Sequence, residues 1–214
     1  MKIKIISITI FLVAVLMAAG TYFYDKISTE RAISQTHSEA LERGYSPVYG
    51  SEEARVALVE FFDPACGTCA EFSPLVKALV DRYDGKLKLI SRYAPLHENS
   101  DFVVTLLEAT RLQEKFEESL ALLFENQNLW VKNHVSQPEL AISLLQAADV
   151  NIDKVYLDME SDEVLRRVGQ DIADMKTLGI TQTPSFFVNG RPLVKFGYEE
   201  LVKLVVSEIK TNYN

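Results

Sequence analysis

The stretch Ala57-Leu58-Val59-Glu60-Phe61-Phe62-Asp63-Pro64-Ala65-Cys66-Gly67-Thr68-Cys69 decides the fold. Its first six residues form a nearly continuous apolar run, the pattern of a strand covered on both faces. Asp63-Pro64 breaks the run, and a helical pattern starts at Cys66. Phe72, Leu75, Leu79 and Val80 mark one side of that helix, and Pro74 lies inside it, where a kink is expected. The free N–H groups and dipole at a helix start favour a thiolate at Cys66. A thiolate is the attacking species in thiol–disulfide exchange, and Cys69, one turn later, is placed to resolve the mixed disulfide. Three blander readings stay open: two buried structural cysteines, half of a zinc site, or a static disulfide. The chain's three histidines, His37, His97 and His134, stand at no zinc-ligand spacing. A loop this small gains little entropy from closure.

Composition narrows the field. The 214 residues are 48% apolar and 24% charged, enough for one domain with a buried core and unlike a disordered chain. Two cysteines exclude a disulfide-stapled scaffold and a four-cysteine metal cluster from this chain alone. No metal and no cofactor are expected. A net charge of −8 and a pI near 5.0 argue against nucleic acid as a partner.

The amino terminus points to export. Lys2 and Lys4 precede an uncharged apolar run over residues 5–24 that ends in Tyr22-Phe23-Tyr24. Twenty residues at about 1.5 Å rise span about 30 Å, the hydrocarbon thickness of a bilayer. The lysines predict the amino terminus inside and the remainder outside. Residues 1–24 are read as a signal anchor in the inner membrane, with the domain in the periplasm or extracytoplasmic space. Cleavage after Ala18-Ala19-Gly20, leaving a soluble periplasmic protein, is the alternative. Residues 25–49 turn polar and read as a tether, and residues 50–214 as the folded domain.

Downstream, Lys86-Leu87-Lys88-Leu89-Ile90-Ser91-Arg92-Tyr93 reads as a second strand. A block over about residues 98–176 has helical periodicity and no strand signal. Val103, Leu106, Leu107 and Thr110 share a face, as do Phe116, Leu120, Leu123 and Phe124. Ser136-Gln137-Pro138-Glu139 has the form of a capping box. Val164, Val168, Ile172 and Met175 mark a helix that Gly179 ends. Ser185-Phe186-Phe187-Val188, Asn189-Gly190 and a strand over 191–196 read as a hairpin, and Leu201, Leu204, Val205 and Ile209 as a last amphipathic helix. Trp130, between Leu129 and Val131, reads as core rather than as part of a substrate groove, and His97 as a satisfied structural histidine.

Strand, Cys-x-x-Cys at a helix start, helical block, then Thr183-Pro184 before a hairpin resembles the thioredoxin fold. The stretches from Tyr49 to Cys69, Leu112-Gln113-Glu114-Lys115-Phe116 and Leu178-Gly179-Ile180-Thr181-Gln182-Thr183-Pro184-Ser185-Phe186-Phe187-Val188-Asn189-Gly190 resemble DsbA-like thiol:disulfide oxidoreductases. The likeness covers residues 47–214. It implies an α/β thioredoxin-like fold with an inserted helical subdomain. It also implies a buried acid at Glu60, six residues before Cys66, that exchanges protons with Cys69. Thr183-Pro184 maps to the family's cis-proline loop, which lies beside Cys66 and pairs with an extended substrate chain.

The sequence departs from DsbA between the cysteines. Gly67-Thr68 replaces Pro-His, and a neutral threonine hydroxyl holds a thiolate more weakly than a charged donor, so a less oxidising centre is expected. Thr183 before the proline is similar to the isomerases DsbC and DsbG, whose amino-terminal dimerisation domain residues 25–49 are too short to match. The reading is a thiol–disulfide oxidoreductase acting on cysteine-containing exported proteins, with a membrane partner of DsbB type to reoxidise it in the oxidase direction. A reductase or isomerase is the alternative. From another class, so is a redox-inert, membrane-tethered binding module.

Overall fold

The computed structural model describes residues 37–213. The apolar run at 5–24 and residues 25–36 of the tether lie outside the described residues. Among the described residues no helix is long and apolar enough to cross a membrane.

The centre is a five-stranded sheet in the order β1 (Val48–Gly50), β3 (Leu87–Tyr93), β2 (Val56–Phe62), β6 (Ser185–Val188), β7 (Arg191–Pro192). β2 runs parallel to β3, with Glu60 opposite Ser91, and antiparallel to β6, with Glu60 opposite Phe186. Every residue of β2 is buried, as its unbroken apolar run requires. Alternation along β2 sorts its side chains onto two faces. Val56 and Leu58 pack with Phe72, Val76, Leu79 and Val80 of α1 (Gly67–Arg82) and with Leu201, Val205 and Ile209 of α8 (Tyr198–Tyr213). Ala57, Val59 and Phe61 pack on the other face with Leu41, Met175 and Ile180. Alternation places Glu60 on the α1 face.

The insertion comprises α2 (Ser100–Thr110), a 3₁₀ turn (Arg111–Gln113), α3 (Phe116–Glu125), α4 (Gln127–Trp130), α5 (Pro138–Ala147), α6 (Ile152–Met159) and α7 (Asp162–Thr177). Trp130 is fully buried in its core, and its indole N–H donates to the Leu123 carbonyl at 2.8 Å. α7 ends as its sequence predicts. Gly179 has φ +65°, its N–H bonds the Lys176 carbonyl, and the Ile180 N–H bonds the Met175 carbonyl, the paired bonds of a Schellman motif.

Several local expectations change. Residues Ala40–Asn214 form one compact unit, so the domain takes in chain that composition alone assigned to the tether. Ala40 and Leu41 are buried, and β1 pairs with β3. Polar residues here are structural partners: Arg43 bonds Asp174, and Tyr45 bonds Asp171. On α1 Val76 is buried where the spacing predicts Leu75, and Leu75 faces outward. The capping box does not form. α5 starts at Pro138, which has no N–H to cap, and Ser136 sits in a short hairpin of β4 (Val131–Lys132) and β5 (Val135–Ser136). The last strand stops at Pro192, leaving Val194 exposed.

Candidate active site

Cys66 is the N-cap of α1, and Cys69 lies in its first turn. The strand-to-helix turn is closed by the Cys66 N–H bonding the Asp63 carbonyl at 3.0 Å. Both cysteines are reduced and buried, Cys66 at 6% exposure and Cys69 at 0%. Gly67 is exposed and Thr68 half-buried, so the turn meets solvent between the two thiols.

The two thiols are held in opposite states. Cys66 is lowered from an ordinary thiol value to about 6. The hydrogen bond from the Cys69 thiol is the largest influence. Burial opposes it, and the Thr183 side chain and the N–H groups of Cys69 and Thr68 add to it. Cys69 is driven far up, first by burial, then by giving its hydrogen bond to Cys66, then by the charge of Glu60. Glu60, 5% exposed, is raised to about 8 by burial, with the Cys66 charge adding to the shift and Lys77 opposing it. Among the described residues its carboxyl makes no side-chain hydrogen bond. It is therefore a buried acid that titrates near neutrality in the electrostatic field of both cysteines.

Thr183-Pro184 is a cis bond, and it closes the site from the β6 side. The Cys66 Sγ–H points at the Thr183 carbonyl oxygen, 3.2 Å away. Cys66, Cys69, Glu60, Thr183 and Pro184 thus come together, although 117 residues separate Cys66 from Thr183.

One further residue belongs to the site. Asp63 is fully buried. Its Oδ1 accepts from the Ala65 N–H at 2.8 Å and from the Ser100 hydroxyl. Its Oδ2 accepts from the N–H groups of Leu96 and His97 and from His97 Nδ1, at 2.7 to 2.9 Å. In the sequence Asp63-Pro64 signals only a strand break, because its partners Leu96, His97 and Ser100 lie more than thirty residues away. His97 is the satisfied structural histidine its sequence context suggests. His134 stacks on it at 6.0 Å, and among the described residues no group of three or more His, Cys, Asp or Glu is arranged to hold a metal.

Comparison with known proteins agrees with this geometry. The thioredoxin family model matches residues 42–206. A thioredoxin-like oxidoreductase from Silicibacter pomeroyi is 27% identical, with a TM-score of 0.68 over 81% of this chain and 97% of that one. DsbA from Xylella fastidiosa has the same fold at 19% identity, with a TM-score of 0.63 over 75% of this chain and 87% of that one. Among curated proteins, a Na(+)/H(+) antiporter NhaA from Herminiimonas arsenicoxydans is 27% identical over 146 residues, 68% of this chain. The match spans only 22% of that relative's length. The chain belongs to the thioredoxin family and has the DsbA-like fold of its thiol:disulfide oxidoreductases.

Proposed function

We propose that the protein is an extracytoplasmic thiol–disulfide oxidoreductase that exchanges disulfides with exported, cysteine-containing proteins. The observation that carries this reading is the opposite poise of the two thiols above a buried acid, Cys66 at about 6 and Glu60 at about 8. At neutral pH Cys66 is mainly thiolate, so it attacks a client disulfide. A Cys66–client S–S bond forms, and one client sulfur leaves as thiolate. In the mixed disulfide the Cys66 charge that helps to raise Glu60 is gone, and the ionised fraction of the Glu60 carboxyl takes the Cys69 proton as the Cys69 sulfur attacks Cys66 Sγ. The mixed disulfide breaks, the second client sulfur leaves, and the Cys66–Cys69 disulfide remains. Run in reverse, the same steps oxidise a dithiol client. The client's extended chain lies along Thr183, whose carbonyl already faces Cys66.

A Cys66 value near 6 is closer to thioredoxin's thiol, about 7, than to DsbA's, about 3.5. The centre is accordingly read as more reducing than DsbA. The apolar run at 5–24 is read as the anchor that keeps the domain at the outer face of the membrane. In the oxidase direction a DsbB-type membrane partner would restore the disulfide.

The test is the equilibrium of the Cys66–Cys69 pair with glutathione. Reversible exchange with a potential between about −120 mV, the value for DsbA, and about −270 mV, the value for thioredoxin, is the expected result. Cys69→Ala should trap a mixed disulfide at Cys66. Client binding that persists unchanged in a Cys66→Ala, Cys69→Ala double variant, with no exchange in the native protein, would establish the redox-inert binding module instead.

A further inference from the structure

The turn that carries Cys66 is gripped by the loop that leads into the helical insertion and by the insertion itself. Asp63 receives three hydrogen bonds from Leu96 and His97, just before the insertion, and one from the hydroxyl of Ser100, the first residue of α2. The next peptide is held separately: Gln127 Nε2, at the start of α4, donates to the Pro64 carbonyl at 2.8 Å. The same Gln127 side chain reaches within 3.7 Å of where a Cβ would stand on Gly67, between the cysteines. The grip lies beside the chemistry. The Asp63 carbonyl takes the Cys66 N–H, and that bond sets how Cys66 enters the helix.

We propose that the helical insertion positions Cys66 through this clasp, with Ser100, His97 and Gln127 acting as positioning residues through Asp63 and Pro64. This inference rests on the redox reading above. The physical reason is that Cys66 is stabilised as thiolate by close donors, and hydrogen bonds to a thiolate weaken steeply as distance and angle degrade. A turn released at Asp63 or Pro64 lets Cys66 drift from the N–H groups of Thr68 and Cys69. Loss of a donor also leaves a buried Asp63 oxygen short of a partner, which loosens the turn further. Losing the Thr68 and Cys69 N–H donors moves Cys66 upward.

The experiment is titration of Cys66 by thiolate absorbance, with the glutathione equilibrium, in Ser100→Ala, Gln127→Ala and the double variant. The double variant should show Cys66 raised by about one unit, which is about tenfold less thiolate at a fixed pH below that value. Its glutathione equilibrium should move toward the disulfide form, and each single variant should show part of both shifts. Glu108→Gln is the control. Glu108 is buried and bonded to Tyr93, Arg111 and Arg167 rather than to the turn. It should lower the unfolding midpoint and leave the Cys66 titration in place. Unshifted titration and equilibrium in the double variant, or an equal shift in Glu108→Gln, would overturn the clasp. A native protein that exchanges with glutathione while the variants are unshifted removes this inference alone. A native protein that does not exchange removes the proposed function.

Discussion

Cys66 Sγ lies 3.2 Å from the carbonyl oxygen of Thr183. The contact joins the helix start, where a thiolate is generated, to the loop where a client chain would run. Cys66 is buried, so under the proposed function an attacking sulfur would reach it along that loop, with the client's extended segment pairing there.

Alkylation of the reduced protein should therefore separate the two cysteines. The rate at Cys66 should rise as pH passes about 6 and level off by pH 8, and Cys69 should resist throughout. Cys69→Ala removes the largest influence lowering Cys66, so the inflection should move up. An inflection already near 8.5 in the native protein would refute the helix-start argument.

Glu60 should make stability depend on pH with a definite sign. Its folded value of about 8 lies above its ordinary 4.5, so the folded state binds the proton more tightly. Its stabilising contribution is complete below pH 4.5 and is lost as pH rises toward 8. Glu60→Gln should abolish that loss. The variant's advantage over the native protein in urea unfolding should grow with pH, to an order of magnitude of about 5 kcal/mol by pH 8 to 9. Cys66 works the other way between 6 and 9, because its folded value is lowered, so the comparison is made within the reduced state of both proteins. The same variant should slow resolution of the mixed disulfide by about a hundredfold or more, as loss of a positioned base does.

Arg92 should be the most sensitive charged residue for folding. Its guanidinium is fully buried, and each of its five N–H groups has an acceptor: Asp171 twice, Asp174, and the carbonyls of Ala40 and Leu41. Arg92→Leu removes the arginine paired with the buried Asp171 carboxylate and leaves Asp174 to Arg43 alone, and should cost about 3–5 kcal/mol in denaturant unfolding. Since Arg92 shares no bond with either cysteine, folded Arg92→Leu should keep the native Cys66 titration.

Gly50 should tolerate no side chain. Its φ is +98°, and a Cβ there would stand 2.7 Å from Val80 Cγ1 and 3.1 Å from the Leu87 carbonyl oxygen. Gly50→Ala should destabilise by about 2 kcal/mol or more, read as a lower midpoint at unchanged slope.

Much of the fold was legible because it is written in short-range pattern. The unbroken run over β2 announced a strand buried on both faces, and the spacing of Val164, Val168, Ile172 and Met175 announced α7 with its Gly179 stop. β1 was not legible, because three residues inside a polar stretch carry no periodicity. Their strand identity comes from pairing with β3. Leu75 and Val76 are adjacent on α1 and equally apolar, and only the sheet beneath decides which one is buried.

The sequence by itself determined the site's chemistry: two cysteines one helical turn apart after a buried strand, and, through a family resemblance, Glu60 and Thr183-Pro184. Those features are local residue types at fixed spacing. Tertiary structure decided the rest. It brought Glu60 within electrostatic reach of both cysteines and Thr183 against Cys66, and made a strand-breaking Asp63 the buried anchor of the active-site turn. It also paired Arg92 with carboxylates some eighty residues away. The reason is that a buried polar group is stable only with its partners, and the fold alone selects them.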